Sequence, residues 1–179
     1  MKKVLIVPSS VRPGRVADSV LALLQNELTA YTGDIEASVF DFKDSPLPFF
    51  DGAVSPSDPN FTATDDNVKA WTQAVEQADV VLIIAAEYNY SYTAVIKNAV
   101  DWLAPTVVEG KPFAFVGYGW TGGSKATTNL RALLTGFLKA ELIEQEANLA
   151  FMQEINPDGS VESAEATSVA IRGVLAAIK

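Results

Sequence analysis

Three short segments of this 179-residue chain carry residue types and spacings able to do chemistry. The first, Pro8-Ser9-Ser10-Val11-Arg12-Pro13-Gly14-Arg15-Val16, follows a four-residue apolar run and leads into a helical pattern. Its hydroxyls, its glycine and the free amides opening the next helix supply donors for an anion. Arg12 and Arg15 are two of only four arginines in the chain, and arginine forms bidentate, charge-assisted bonds to phosphate. Two cations at a helix N-terminus oppose the helix dipole, and a bound phosphate reverses that conflict. A polar turn with two solvated arginines is the plainer alternative.

The second segment is Glu87-Tyr88-Asn89-Tyr90-Ser91-Tyr92. Its three tyrosines form a flat, amphipathic wall suited to an aromatic ring system. Ser91 is placed to cap the helix that follows, and Glu87 and Asn89 to hydrogen-bond a heterocycle. An N-cap among ordinary interfacial tyrosines would read the same way. The third segment, Gly117-Tyr118-Gly119-Trp120-Thr121-Gly122-Gly123, contains G-x-G-x-x-G. A dinucleotide fingerprint belongs in the first strand–helix unit, and this glycine cluster sits in the fourth. A loop whose missing side chains let its backbone lie against a flat ligand fits better, with a loose connection as the alternative.

Composition removes several chemistries. The chain has no cysteine and no histidine, so thiolate nucleophiles, disulfides, Cys/His zinc sites and Ser-His-Asp triads are out, and no metal site is expected. What remains is carboxylates, hydroxyls and backbone dipoles, or a bound cofactor. There is no G-K-S/T phosphate loop, no acidic pair ending the first strand and no G-x-S-x-G elbow. A net charge of −9 and a pI near 4.4 argue against nucleic acid or an anionic membrane as partner. The apolar run at Val4–Val7 is too short for a signal peptide core or a membrane span, so a cytoplasmic protein is expected.

These loops need a frame. Val4–Val7, Ile35–Val39, Val80–Ala86, Phe113–Tyr118 and Ala147–Phe151 read as strands, the third continuously apolar as in a sheet centre covered on both faces. Val16, Val20, Leu24 and Leu28 mark a first helix, and Tyr92–Trp102 reads as another. Leu130, Leu133, Leu134, Phe137 and Leu138 make a further stripe, and Ile171, Val174, Leu175 and Ile178 close the chain. Strands alternating with helices predict an α/β doubly wound, five-stranded parallel sheet of order 2-1-3-4-5, with helices on both faces and residues 1–179 in a single domain. Residues 44–63, rich in proline and carrying Phe49 and Phe50, break the rhythm as a lid or an interface arm.

Taken together, the three loops resemble the NADPH-dependent FMN reductase family of flavodoxin-like proteins. Ser9-Ser10-Val11-Arg12 is similar to its G-S-x-R phosphate loop, with serine for glycine. Ala86-Glu87-Tyr88-Asn89-Tyr90-Ser91-Tyr92-Thr93 and the following Lys97-Asn98-Ala99-Val100-Asp101-Trp102 resemble the family's P-E-Y-N-x-S/G-x-P and K-N-A-I-D-W, with Ala86 and Thr93 in place of prolines. Tyr90 stands where glycine or histidine is common, and Lys125 where arginine is. Leu47-Pro48-Phe49-Phe50-Asp51 is similar to an L-P-x-[FY]-D segment.

The resemblance implies FMN, with Ser9, Ser10, Arg12, Arg15, Val16 and neighbouring amides around its phosphate. It places Glu87, Tyr88, Asn89 and Tyr90, and Gly119, Trp120, Gly122 and Gly123, around the ring. It implies NADPH or NADH as co-substrate, hydride carried by the flavin N5 with no catalytic side chain, and a ping-pong transfer to a small-molecule acceptor. A free flavin, a quinone, an azo compound and a metal oxyanion all remain open, and a homodimer or homotetramer is expected. The competing function is an FMN electron carrier without pyridine-nucleotide activity. The acidic surface suits a carrier, and the two loop arginines speak against one.

Overall fold

The apolar runs of the sequence form one parallel sheet. In this computed structural model, which describes residues 1–178, β1 (Lys2–Pro8), β2 (Ile35–Val39), β3 (Val80–Ala86) and β4 (Pro112–Gly119) lie in the order β2-β1-β3-β4. Lys179, the last residue of the expected domain, lies outside the described residues. The fifth position is filled in two pieces. β5 (Glu141–Leu142) pairs with Pro112–Phe113, and β6 (Ala147–Ala150) pairs with Val116–Gly119. The expected 2-1-3-4-5 order is present, and its edge strand is broken.

Among the described residues, six helices surround the sheet: α1 (Ala17–Ala30), α2 (Asp66–Gln77), α3 (Ala94–Asp101), the short α4 (Pro105–Val108), α5 (Ser124–Thr135) and α6 (Ala164–Ala177). Side chains alternate across a strand, so each strand feeds two cores. Val4, Ile6, Leu82, Ile84 and Val116 pack against α1 and α6. Leu5, Val7, Val81, Ile83 and Phe115 pack against α2, α3 and α5. All seven residues of β3 are buried. Each such aliphatic or phenyl group contributes roughly 1.5–3 kcal/mol on burial, so the sheet centre is the rigid platform from which the loops project. Ile35, Ala37 and Val39 alternate as a half-covered strand would, yet β2 is an edge and is mostly exposed.

Arg131 of α5 accounts for the broken edge. Its Nη2 donates to the carbonyls of Ile143 and Glu144, both at 3.3 Å, and its guanidinium pairs with Glu146. Carbonyls turned towards a side chain are withdrawn from the ladder. α2 lies outside the predicted set, although Val68, Trp71 and Val75 carry its spacing and Asp65 caps the amides of Asn67 and Val68. α3 starts later than predicted, and its cap is Thr93 rather than Ser91: the Thr93 hydroxyl accepts the Ile96 N–H at 3.3 Å. Phe137 lies beyond the end of α5 and is 70% exposed, off the helical stripe.

Residues 44–63 are irregular, as expected, but anchored. The Pro48 carbonyl accepts from Asn98 Nδ2 at 2.8 Å and from Trp102 Nε1 at 3.0 Å. The Phe50 N–H donates to Asn98 Oδ1 at 2.9 Å, and the Phe50 ring meets Trp102 edge-on at 4.8 Å. The Asn-Ala-Val-Asp-Trp run of α3 is thus the fastener of a strap.

Candidate functional site

The loops after β1, β3 and β4 meet at the C-terminal end of the sheet, where open parallel sheets hold ligands. The first loop begins with a buried anchor. Ser9 Oγ accepts the Ala86 N–H at 2.9 Å, its carbonyl accepts the Thr93 hydroxyl, and its own N–H donates to the Ile84 carbonyl. Ser10 comes next, its Oγ 2.6 Å from the Tyr88 hydroxyl. The Arg12 guanidinium lies over the Tyr88 ring, 5.8 Å from its centroid. Arg12 is exposed and forms no ion pair among the described residues.

Arg15 departs from the phosphate-ligand expectation. Nη1 donates to Asp41 Oδ1 at 2.8 Å and to the Ser10 carbonyl, Nη2 bonds Asp41 Oδ2, and Nε donates to Asp18 at 2.7 Å. Its donors are committed to the protein, because a buried guanidinium must be matched by acceptors. The Asp41 bonds hold the Arg15 pKa above its ordinary value. Burial pushes the Asp41 carboxyl up, while Arg15 and the Lys43 amide pull it down further, leaving it below the usual carboxylate range.

The helix ends divide the roles of the loops. Among the described residues, the five helices of eight or more residues include four whose first turn is met by a side-chain acceptor. Asp65, Thr93 and Ser163 cap α2, α3 and α6. For α5, Glu87 reaches across from the second loop, accepting the Lys125 N–H at 3.1 Å and the Thr121 hydroxyl. Glu87 therefore holds two loops together at the edge of the cleft it lines. The N-cap of α1, Val16, makes no side-chain cap hydrogen bond, and Arg12 and Gly14 stand beside it. An uncapped N-terminus next to an exposed cation carries the donors an anion needs.

Between Tyr88 and Ser91 the chain makes a two-residue turn, with Asn89 at φ 49° and Tyr90 at φ 61°. Asn129 of α5 holds this turn by donating to the Tyr90 carbonyl and the Ser91 hydroxyl, each at 3.2 Å. The glycines of the third loop serve the protein's own packing. A Cβ on Gly123, at φ +76°, would lie 2.4 Å from the Tyr118 nitrogen, and one on Gly119 would lie 3.0 Å from the Glu87 Cβ. The loop folds closely onto its own strand, and of its glycines Gly119 lines the cleft.

The result is a cleft of about 310 Å³, ordinary for a small-molecule site. Ser10, Arg12, Gly14, Arg15 and Val16 line it from the first loop, Glu87 and Tyr88 from the second, Gly119 and Trp120 from the third. Ser9, Asn89, Tyr90, Gly122 and Gly123 do not line it; Ser9 and the two glycines set backbone positions around it, and the Tyr90 side chain is exposed. Residues 44–63 contribute no wall, so the strap does not lie over this cleft. Tyr118, Phe151 and Pro157 complete the lining, all three beyond the predicted set. Phe151 stacks edge-on against Trp120 at 5.5 Å. Burial, and next the nearby Tyr88, push the Tyr118 phenol well above its usual range, so it stays a neutral donor. Phe151 was findable, because it ends the last predicted strand; nothing in the spacing marks Pro157 or Asp41. A second, larger groove of about 360 Å³, mostly apolar, runs on the other side of the first loop past Val11, Phe42, Leu47 and Phe49.

A cation, a hydroxyl and open helix amides at one end, with aromatic walls leading away, suit a phosphorylated planar heterocycle. The comparisons agree with that chemistry. The sequence profile of the NADPH-dependent FMN reductase family matches residues 2–153. An NAD(P)H-dependent FMN reductase of Saccharomyces cerevisiae is 30% identical over 149 residues, covering 79% of this chain and 77% of the yeast protein. A quinone reductase of Escherichia coli K12 is 35% identical over 104 residues, 55% of this chain and 53% of that one. Among solved structures, the flavoenzyme NAD(P)H:(acceptor) oxidoreductase FerB of Paracoccus denitrificans superposes with a TM-score of 0.76 at 25% identity, covering 99% of this chain and 95% of that one. On its fold, its cleft and its sequence, the chain belongs to the NADPH-dependent FMN reductase family.

Proposed function

We propose that the chain is an FMN-dependent NAD(P)H oxidoreductase, a single domain built around the cleft at the three loops. The observation that carries this reading is the unpaired Arg12 beside the uncapped start of α1, in a cleft that continues between Tyr88 and Trp120. Bound there, FMN would supply hydride-transfer chemistry between NAD(P)H and a second acceptor, in a ping-pong cycle.

The chain's own residues bind and orient. Arg12, the Ser10 hydroxyl and the first amides of α1 take the phosphate, with the neutral Tyr118 phenol as a further donor. Arg15 and Val16 frame this end, and Arg15 acts through the loop backbone. Tyr88, Trp120 and Phe151 offer aromatic surface to the ring and keep water from it. Backbone amides at Glu87–Tyr88 and Gly119–Trp120, which line the cleft, would border the ring and offset charge on it. No side-chain acid or base is required, which fits a chain without histidine.

The acceptor is a small oxidised molecule; the E. coli relative's name supports a quinone, and a free flavin, an azo compound or a metal oxyanion fits the same space. A reductase drawing on NAD(P)H works where that pool is kept, in the cytoplasm. Phe49, 79% exposed at the lip of the apolar groove, supports a homodimer or homotetramer; light scattering that returned the mass of one chain would contradict that assembly.

The test is direct. FMN-loaded protein mixed anaerobically with NADPH or NADH should bleach at the flavin's visible band within seconds, at turnover rates ordinary for enzymes. A bound flavin that neither nucleotide reduces would leave the electron-carrier function instead.

A further inference from the structure

The phosphate loop is held from behind by a residue outside the cleft. Asp41 follows β2 and leads into the strap, and it takes no part in the cleft wall. Its carboxylate receives both ends of the Arg15 fork, and Arg15 Nη1 donates in turn to the Ser10 carbonyl. The pair is enclosed, the Arg15 side chain being 3% exposed and that of Asp41 14%. Asp41 is itself fixed, since Oδ1 accepts the Lys43 N–H at 2.9 Å and its carbonyl accepts the amides of Asp44 and Ser45.

We infer that Asp41 is a positioning residue for the phosphate end of the flavin site, acting through Arg15 on the Ser10 peptide; this rests on the FMN reading above. Fixing the Ser10 carbonyl fixes the whole peptide plane, and with it the opposite direction of the Val11 amide. The Ser10 hydroxyl stays beside Tyr88, where the first and second loops meet. Only a planar fork with several donors can grip Asp41 and Ser10 at once.

Simple electrostatics gives the opposite sign. A carboxylate near a phosphate repels it, so deleting that charge alone would tighten phosphate binding. If Arg15 were instead a direct phosphate ligand, Asp41 would compete for it, and its removal would again strengthen binding. Positioning is the role under which removing Asp41 weakens FMN and spares riboflavin.

The experiment titrates FMN and riboflavin, by flavin fluorescence, into flavin-free wild type, Asp41→Asn and Arg15→Lys. Riboflavin shares the ring and ribityl chain and lacks the phosphate. Both variants should lose FMN affinity on the order of tenfold, the scale seen when supporting contacts of a ligand set are removed, and keep riboflavin affinity. Equal losses for both flavins would make Asp41 a general stability residue and overturn the proposal. Unchanged or tighter FMN binding would overturn it as well. If Asp41→Asn does not fold, Asp41→Glu, which keeps the charge but shifts the carboxylate that grips Arg15, should lose FMN affinity selectively in the same way, and FMN binding equal to wild type there would overturn the proposal. Wild type that holds riboflavin as tightly as FMN would overturn the phosphate site itself, a result separate from any variant's behaviour.

Discussion

Ser9, Ala86 and Thr93 each depart from the family's glycine and two prolines, and in the folded chain they touch one another. Ser9 Oγ accepts the Ala86 N–H, which a proline would not have, and the Ser9 carbonyl takes the Thr93 hydroxyl. Where prolines would stiffen the backbone by fixing φ, this chain uses hydrogen bonds between loops. Ser9→Gly alone leaves the Ala86 amide buried without an acceptor, at a cost of about 1–3 kcal/mol. Ala86→Pro alone strands the Ser9 hydroxyl. The double variant should lose less than the sum of the singles by ~1 kcal/mol or more, read from urea unfolding; additive losses would show that the two positions do not interact.

The strands were legible because burial on both faces leaves continuous apolar runs, as at Val80–Ala86, and short connections leave few strand orders. The broken edge was not, because it depends on where one side chain, Arg131, meets the carbonyls of Ile143 and Glu144. The candidate site divides in the same way. Arg12, Ser10 and Tyr88 could be read from residue type and loop position. Arg15 could not be told from Arg12 without Asp41, a partner 26 residues away brought in by the sheet. The strap gives this scale its prediction. Asn98→Ala removes both the bond to the Pro48 carbonyl and the one from the Phe50 N–H. It should cost about 1–2 kcal/mol and open residues 44–63 to limited proteolysis, since one partly buried and one exposed bond go at once. A cleavage pattern like that of the wild type would show that the strap is held without Asn98, by its aromatic contacts and the remaining bonds from Trp102 and Asn67.

Across the whole molecule, carboxylates outnumber cations 22 to 13, and there is no histidine. Among the described residues five carboxyls sit below their ordinary range: the exposed Asp66, Asp79 and Asp158, and with them Asp41 and Glu27. Asp41 does so because Arg15 and the Lys43 amide outweigh the opposing effect of burial, and Glu27 chiefly through Arg172, which joins α1 to α6. A depressed carboxyl lends stability that is complete above its unfolded pKa and is lost as pH falls through the folded value. Unfolding midpoints should therefore stay nearly flat from about pH 5 to 8 and drop below about pH 4. A drop already under way near pH 6 would point to another titrating group.

The binding of FMN at the start of α1 is tested most directly on Arg12, the one loop cation left unpaired. Arg12→Ala should weaken FMN binding by about 2 kcal/mol, near thirtyfold, through lost charge-assisted bonds to a phosphate, while leaving the unfolding midpoint of the flavin-free protein in place. FMN affinity equal to that of the wild type would contradict this site and move the cofactor elsewhere on the molecule.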